Sequence, residues 1–240
     1  MYNLKVMKLT YLKKGFDPFM RQVLNNAFRA QESLVNHWPQ VSLLHPNSIN
    51  LICDASSLFA KVDNTIHSAV VASSTVLYDT RVNEFVNYSL KPVTIKSHSV
   101  NFSEQVSVVV GLENLYMSGI KQSNHTVLNV FTDNIVTMRN FLPLFANVKA
   151  MRWEHMSPEA IMNSILYSSD MDWLIVYYLV ALNIDANIYH IKAHTNNLAF
   201  IDKDFIINNG IKVNKEELIY LSSVHAMVDS LASKIAQNMI

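Results

Sequence analysis

The apolar positions change period within the first 46 residues. Tyr2 to Tyr11 alternates loosely and predicts a strand ending at Lys13-Lys14-Gly15. Asp17-Pro18 then reads as a helix start, with Asp as N-cap and Pro at the first helical position. Met20, Val23, Leu24, Ala27, Phe28 and Leu34 follow at mostly helical spacing, and Pro39 ends the helix. The polar stretch His45-Pro46-Asn47-Ser48 marks a boundary, so the chain divides into an extension, 1–46, and a body, 47–240.

In the body, Ile49 to Cys53 is a short apolar run that ends at Asp54. Ala69 to Leu77 and Glu84 to Leu90 predict strands, with Asp79-Thr80-Arg81 as the turn between them. Glu104 to Met117 places Val108, Leu112, Leu115 and Tyr116 at helical spacing, yet its valines also suit a strand. Val127 to Phe131 is another short run, ending at Thr132-Asp133. Ser157-Pro158-Glu159 opens a helix, Trp173 to Leu182 predicts a buried helix, Ala186 to Ala193 a strand, and Val224 to Ile240 a terminal helix. Three early strands, then helices alternating with strands, predict an α/β fold: a mixed sheet with helices packed on it.

Composition narrows the class. Half of the 240 residues are hydrophobic and 16% are charged, with a mean hydropathy of +0.13, which supports a real core and excludes a disordered chain. The single cysteine, Cys53, excludes a disulfide scaffold and a cysteine-based zinc site, and next to Asp54 it reads as a small core residue. The longest apolar run, Trp173 to Leu182, is half of the about 20 residues a membrane span needs, and the N-terminus has no apolar leader segment. A soluble, cytoplasmic protein is expected, without a membrane partner and as a monomer. Residues 1–46 carry Lys5, Lys8, Lys13, Lys14, Arg21 and Arg29 against Asp17 and Glu32, a net +4, which leaves the body at −4. A basic arm of this kind either contacts phosphate or packs on the body through Leu4, Val6 and Leu9.

Asp54 and Asp133 each follow a buried apolar strand. Singly, an aspartate there caps a helix or makes a turn. Jointly, carboxylates presented from strand ends converge on a divalent cation, because hard cations take oxygen ligands and keep positions open for phosphate. His190 and His194 would lie about 13 Å apart along a strand, so they do not form a paired site.

Four segments together resemble ribonuclease H, the endonuclease family that cuts RNA in RNA–DNA hybrids. They are LICDAS (Leu51 to Ser56), NFSEQVSVVVGLENL (Asn101 to Leu115), VLNVFTDN (Val127 to Asn134) and IYHIKAHT (Ile188 to Thr195), with VDSLASKIA (Val228 to Ala236) as the terminal helix. The resemblance covers about residues 47–240. It implies a five-stranded RNase H-like mixed sheet, three antiparallel strands then parallel ones, and it favours helix for residues 104–117. It implies that Asp54, Glu104, Asp133 and Asp229 hold two Mg²⁺ ions, or Mn²⁺, in two-metal phosphoryl transfer. It implies that His194 assists water movement or product departure. It implies that Ser56, Ser99, Asn101 and Asn134 meet the RNA–DNA hybrid, with Glu104 placed to accept from the RNA 2′-OH.

The chain departs from the family pattern at Ala55, where glycine is usual, at Ser103, where an apolar residue is usual, and at Asn134, where serine is usual. Asp204, ten residues after His194, rivals Asp229 as the fourth acid; the Asp-Ser-Leu-Ala context favours Asp229. Segment 139–185 carries Arg139, Lys149 and Arg152 against five acids, so the basic helical handle of some members is absent. Two other functions fit parts of the pattern: a resolvase- or transposase-like DNA-cutting enzyme, and a non-catalytic nucleic-acid-binding scaffold.

Overall fold

The computed structural model of the protein describes residues 47–62, 65–79, 84–95, 99–119, 126–191, 205–207, 211–213 and 215–237. The extension 1–46, His194 and Asp204 lie outside the described residues. In chain order the elements are β1 (Ser48–Val62), β2 (Thr65–Asp79), β3 (Glu84–Ile95), α1 (Val100–Met117) and β4 (Val127–Thr132). They continue as α2 (Ile135–Trp153), α3 (Pro158–Ser164), α4 (Asp170–Leu182), β5 (Asp185–His190), β6 (Phe205–Ile207), β7 (Ile211–Val213) and α5 (Lys215–Gln237). The mixture of helices and strands is the α/β class that the sequence predicts.

The sheet runs in the order β3-β2-β1-β4-β5, and β6 with β7 makes a separate hairpin. β1 pairs antiparallel with β2 and parallel with β4, and β4 pairs parallel with β5. The parallel part explains the apolar runs. Ile49, Leu51, Ile52 and Cys53 are all buried because both faces of β1 are covered. Ile49, Leu51, Cys53 and Ala55 join one core with Leu128, Val130 and Ile188 and with α1, α2 and α4. By the two-residue period of a strand, Asn50, Ile52 and Asp54 face the other way.

That second face is organised in rows. Asn50, Asn129 and Asn187 stand in register across β1, β4 and β5. Asn129 Nδ2 donates to Asn50 Oδ1 at 3.1 Å, Asn187 Nδ2 to Asn129 Oδ1 at 3.3 Å, and Lys149 Nζ to Asn187 Oδ1 at 3.2 Å. One step along the strands come Ile52, Phe131 and Tyr189, the two rings 5.5 Å apart. One step further are Asp54 and Asp133, at the carboxyl ends of the parallel pairing, where open α/β sheets bind their ligands. α5 packs on β1 and β2, and its Leu221, Val224, Val228, Leu231 and Ala232 are buried.

Several boundaries differ from the sequence reading. The valine-rich segment is helix, as the resemblance implies; α1 is buried almost all round, lying against the sheet and α4, so it needs no polar face. α4 is not fully buried. Trp173 and Tyr177 stack at 5.2 Å, and Tyr177 is exposed. α5 begins nine residues before Val224, and β5 gives way at Ile191, whose N–H donates to the Thr132 carbonyl.

Candidate metal centre

Asp54 lies within β1, its backbone still paired with Ser74 of β2. Asp133 stands one residue past β4, just before Asn134 caps α2 by accepting from the Thr137 N–H at 2.8 Å. α5 carries His225 and Asp229, four residues apart and so on one helix face. Glu104 comes from the first turns of α1 and is 5% exposed.

These elements bring Asp54, Asp133 and His225 together. One ligand atom of each lies within 4.8 Å of the others. His225 Nε2 is 3.5 Å from Asp133 Oδ1, too long for a well-formed hydrogen bond, and it has no hydrogen-bond partner among the described residues. Asp229 acts on Asp54 through its charge, and Asp54, Asp133 and Asp229 act in the same way on Glu104. The oxygens of Glu104 and Asp229 are not part of the 4.8 Å group.

Burial sets the electrostatics. It pushes the Asp54 carboxyl up to about 7; the His225 imidazole opposes this, Asp133 and Asp229 add to it, and the Ala55 N–H lowers it. Glu104 goes up to about 10, first from burial, then from Asp54 and Asp133, again against a hydrogen bond from Ala55. For His225, burial favours the neutral ring, but Asp133, Asp54 and Asp229 outweigh it and move the imidazole upward. Burial, then Glu104 and Asp54, raise the Cys53 thiol, which is therefore no nucleophile and sits in the core.

The donor set fits a divalent cation. Carboxylates this close repel one another, and Glu104 Oε2 and His225 Nε2 are buried polar atoms without partners among the described residues. A cation answers both.

The other predicted site residues are placed as follows. Asn101 and Asn134 meet each other: Asn134 Nδ2 donates to Asn101 Oδ1 at 3.0 Å, joining the starts of α1 and α2 at the rim. Ser99 is exposed before α1, and its carbonyl accepts from Phe102 and Ser103. Ser56 accepts from the Ser233 hydroxyl at 3.4 Å, tying β1 to α5. Two residues of the centre escape the sequence reading. His225 is betrayed only by its four-residue spacing from Asp229. His190, rejected as half of a histidine pair, places Nε2 2.9 Å from the Asp133 carbonyl oxygen.

Fold and cluster define an α/β protein with a buried carboxylate–imidazole centre at the ends of parallel strands. No family model matches the sequence, and no curated protein does. Solved structures similar to it include the prototype foamy virus RNase H domain, at 14% identity and TM-score 0.45, over 79% of this chain and 94% of that one. The prototype foamy virus protease–reverse transcriptase is similar at 15% identity and TM-score 0.46, over 82% of this chain; the match spans 22% of that protein. The N-terminal RNase H domain of a Mycobacterium tuberculosis protein, solved as a maltose-binding-protein fusion, is similar at 12% identity and TM-score 0.35, over 59% of this chain and 84% of that one. The functional reading rests on the chain's own residues.

Proposed function

We propose that this chain is a nuclease with an RNase H-like five-stranded sheet, which hydrolyses the RNA strand of RNA–DNA hybrids. The observation that carries the reading is the convergence of Asp54 and Asp133 where the parallel pairing of β1 and β4 ends, with Asp229 acting on Asp54 and all three aspartates on Glu104 through their charge. Asp54, Glu104, Asp133 and Asp229 would hold two Mg²⁺ or Mn²⁺ ions. Bound there, the ions supply charge stabilisation to the attacking and leaving oxygens of a phosphodiester.

The chain's own groups do the rest. Without a cation Glu104 keeps its proton at neutral pH, so loading the centre releases protons, and affinity for the cation rises with pH. Ionised Glu104 is then an acceptor for a ribose 2′-OH, which deoxyribose lacks. The linked amides of Asn101 and Asn134 stand at the rim as donors and acceptors for the hybrid, with Ser99 beside them. Lys149 and Arg152, two of the three cations of segment 139–185, are tied to Asn187 and Asp185. Phosphate contacts then fall to other parts of the chain; the basic extension 1–46 either supplies them or packs on the body. His194, in the segment between β5 and α5, is assigned to product departure.

The test is cleavage of labelled RNA–DNA hybrid, duplex DNA and duplex RNA, each in Mg²⁺, Mn²⁺ or EDTA. Cleavage of only the RNA strand of the hybrid, abolished by EDTA, is expected. Preferential cutting of duplex DNA would instead favour a resolvase-like enzyme. Binding without cleavage would favour a scaffold.

A further inference from the structure

We propose that His225 is a metal ligand, its Nε2 completing with Asp54 and Asp133 a mixed nitrogen–oxygen site for a first-row transition cation. The inference rests on reading the acid cluster as a metal centre, and it adds a ligand and a preference to it. His225 is 2% exposed, so water does not satisfy its ring. Its Nε2 points into the cluster at ion-pair distance from Asp133 Oδ1, 3.5 Å, with no hydrogen-bond partner among the described residues. A buried polar atom left in that state is costly, and a cation would satisfy it.

The geometry is close to that of a ligand shell. Nitrogen and oxygen donors about 2.0–2.2 Å from one cation stand about 3–4 Å from each other, and the three donors here lie within 4.8 Å. The helix that delivers His225 is pinned: Val224, Val228, Leu231 and Ala232 are buried, and Ser233 donates to Ser56 of β1. One turn on, Asp229 points from the same face. Imidazole changes the chemistry of the site. Mg²⁺ keeps oxygen ligands and sheds water reluctantly, whereas first-row transition ions accept imidazole readily.

The experiment uses the full chain, stripped of metal, with Mn²⁺ as the probe. Pulsed electron paramagnetic resonance of bound Mn²⁺ should show coupling to a directly bound nitrogen, changed by ¹⁵N-histidine labelling. In His225→Gln the coupling should vanish while Mn²⁺ still binds through the carboxylates, its affinity lowered about tenfold or more and that for Mg²⁺ much less. Bound Mn²⁺ without nitrogen coupling in the wild type, coupling that survives His225→Gln, or no Mn²⁺ binding at all would each overturn the proposal. The labelled wild-type measurement needs no variant, and His225→Asn provides a second should the glutamine fail to fold. Hybrid cleavage run in parallel separates the two readings. Nitrogen coupling without cleavage of any nucleic acid sinks the nuclease and leaves the ligand. Cleavage without coupling does the reverse.

Discussion

His190 holds the backbone of Asp133 across 57 residues of sequence, its Nε2 donating to the Asp133 carbonyl oxygen at 2.9 Å. Asp133 stands one residue past the end of β4. The imidazole at the end of β5 holds its backbone there. Asp133 thus meets one histidine through its backbone and another, His225, through its carboxylate.

His190 is accordingly a positioning residue. His190→Ala should weaken binding of Mn²⁺ to the metal-free protein by about 10–100-fold, the usual cost of losing an outer support of a metal site. Cleavage should fall at subsaturating metal and recover at high metal, with KM for hybrid little changed. An unaltered metal titration would remove His190 from the account.

The raised carboxyls make the metal-free fold sensitive to pH. Asp54 binds its proton more tightly folded than unfolded, so its contribution is complete below the ordinary value of about 4 and is lost as pH rises through about 7. Glu104 extends the same loss to higher pH. Metal-free Asp54→Asn should therefore melt several degrees above the wild type at pH 8 and show little difference at pH 4. In a chain of this size about 1 kcal/mol moves Tm by about 2–4 °C. Parallel melting curves of the two proteins across that range would contradict the assignment.

The sequence carried the strands and acids of the centre further than its edges. Asp54 and Asp133 were legible because both follow short apolar runs and both lie in segments that carry the resemblance, although β1 runs on past Asp54 to Val62. The helical nature of residues 104–117 was legible from the resemblance but not from periodicity, because a helix covered on every side loses its amphipathic period, and Val108 to Val110 suit a strand equally. His225 escaped although the helix expected from Val224 already held it, because a single helical histidine carries no local sign of what it meets across the fold. Once α5 starts at Lys215, His225 and Asp229 share a face within a continuous helix. The His190–Asp133 contact left no local trace, since it depends on the β4–β5 register. The readings of the 1–46 extension, His194 and Asp204 lie outside the described residues.

The asparagine row should matter for stability. Asn129 both donates to Asn50 and accepts from Asn187. Asn129→Ala leaves the buried Asn50 side-chain carbonyl without its donor, at about 1–3 kcal/mol, and takes the acceptor from the half-buried Asn187. Urea denaturation should show a loss of about 1–3 kcal/mol, and a loss below the error of the method would mean that water replaces the amide.

The rival fourth acids can be ranked directly. Asp229 adds to the upward shift of both Asp54 and Glu104, so Asp229→Asn should weaken metal binding and lower cleavage in Mg²⁺ by far more than Asp204→Asn. The opposite order would move the fourth ligand to Asp204.

The most direct test of the central claim is cleavage of a labelled RNA–DNA hybrid by the wild type and by Asp133→Asn in Mg²⁺ and in Mn²⁺. The account predicts RNA-strand cleavage by the wild type, and only the EDTA background from a folded Asp133→Asn. Wild-type rates from that variant, or a wild type that leaves the hybrid intact in both metals, would contradict it.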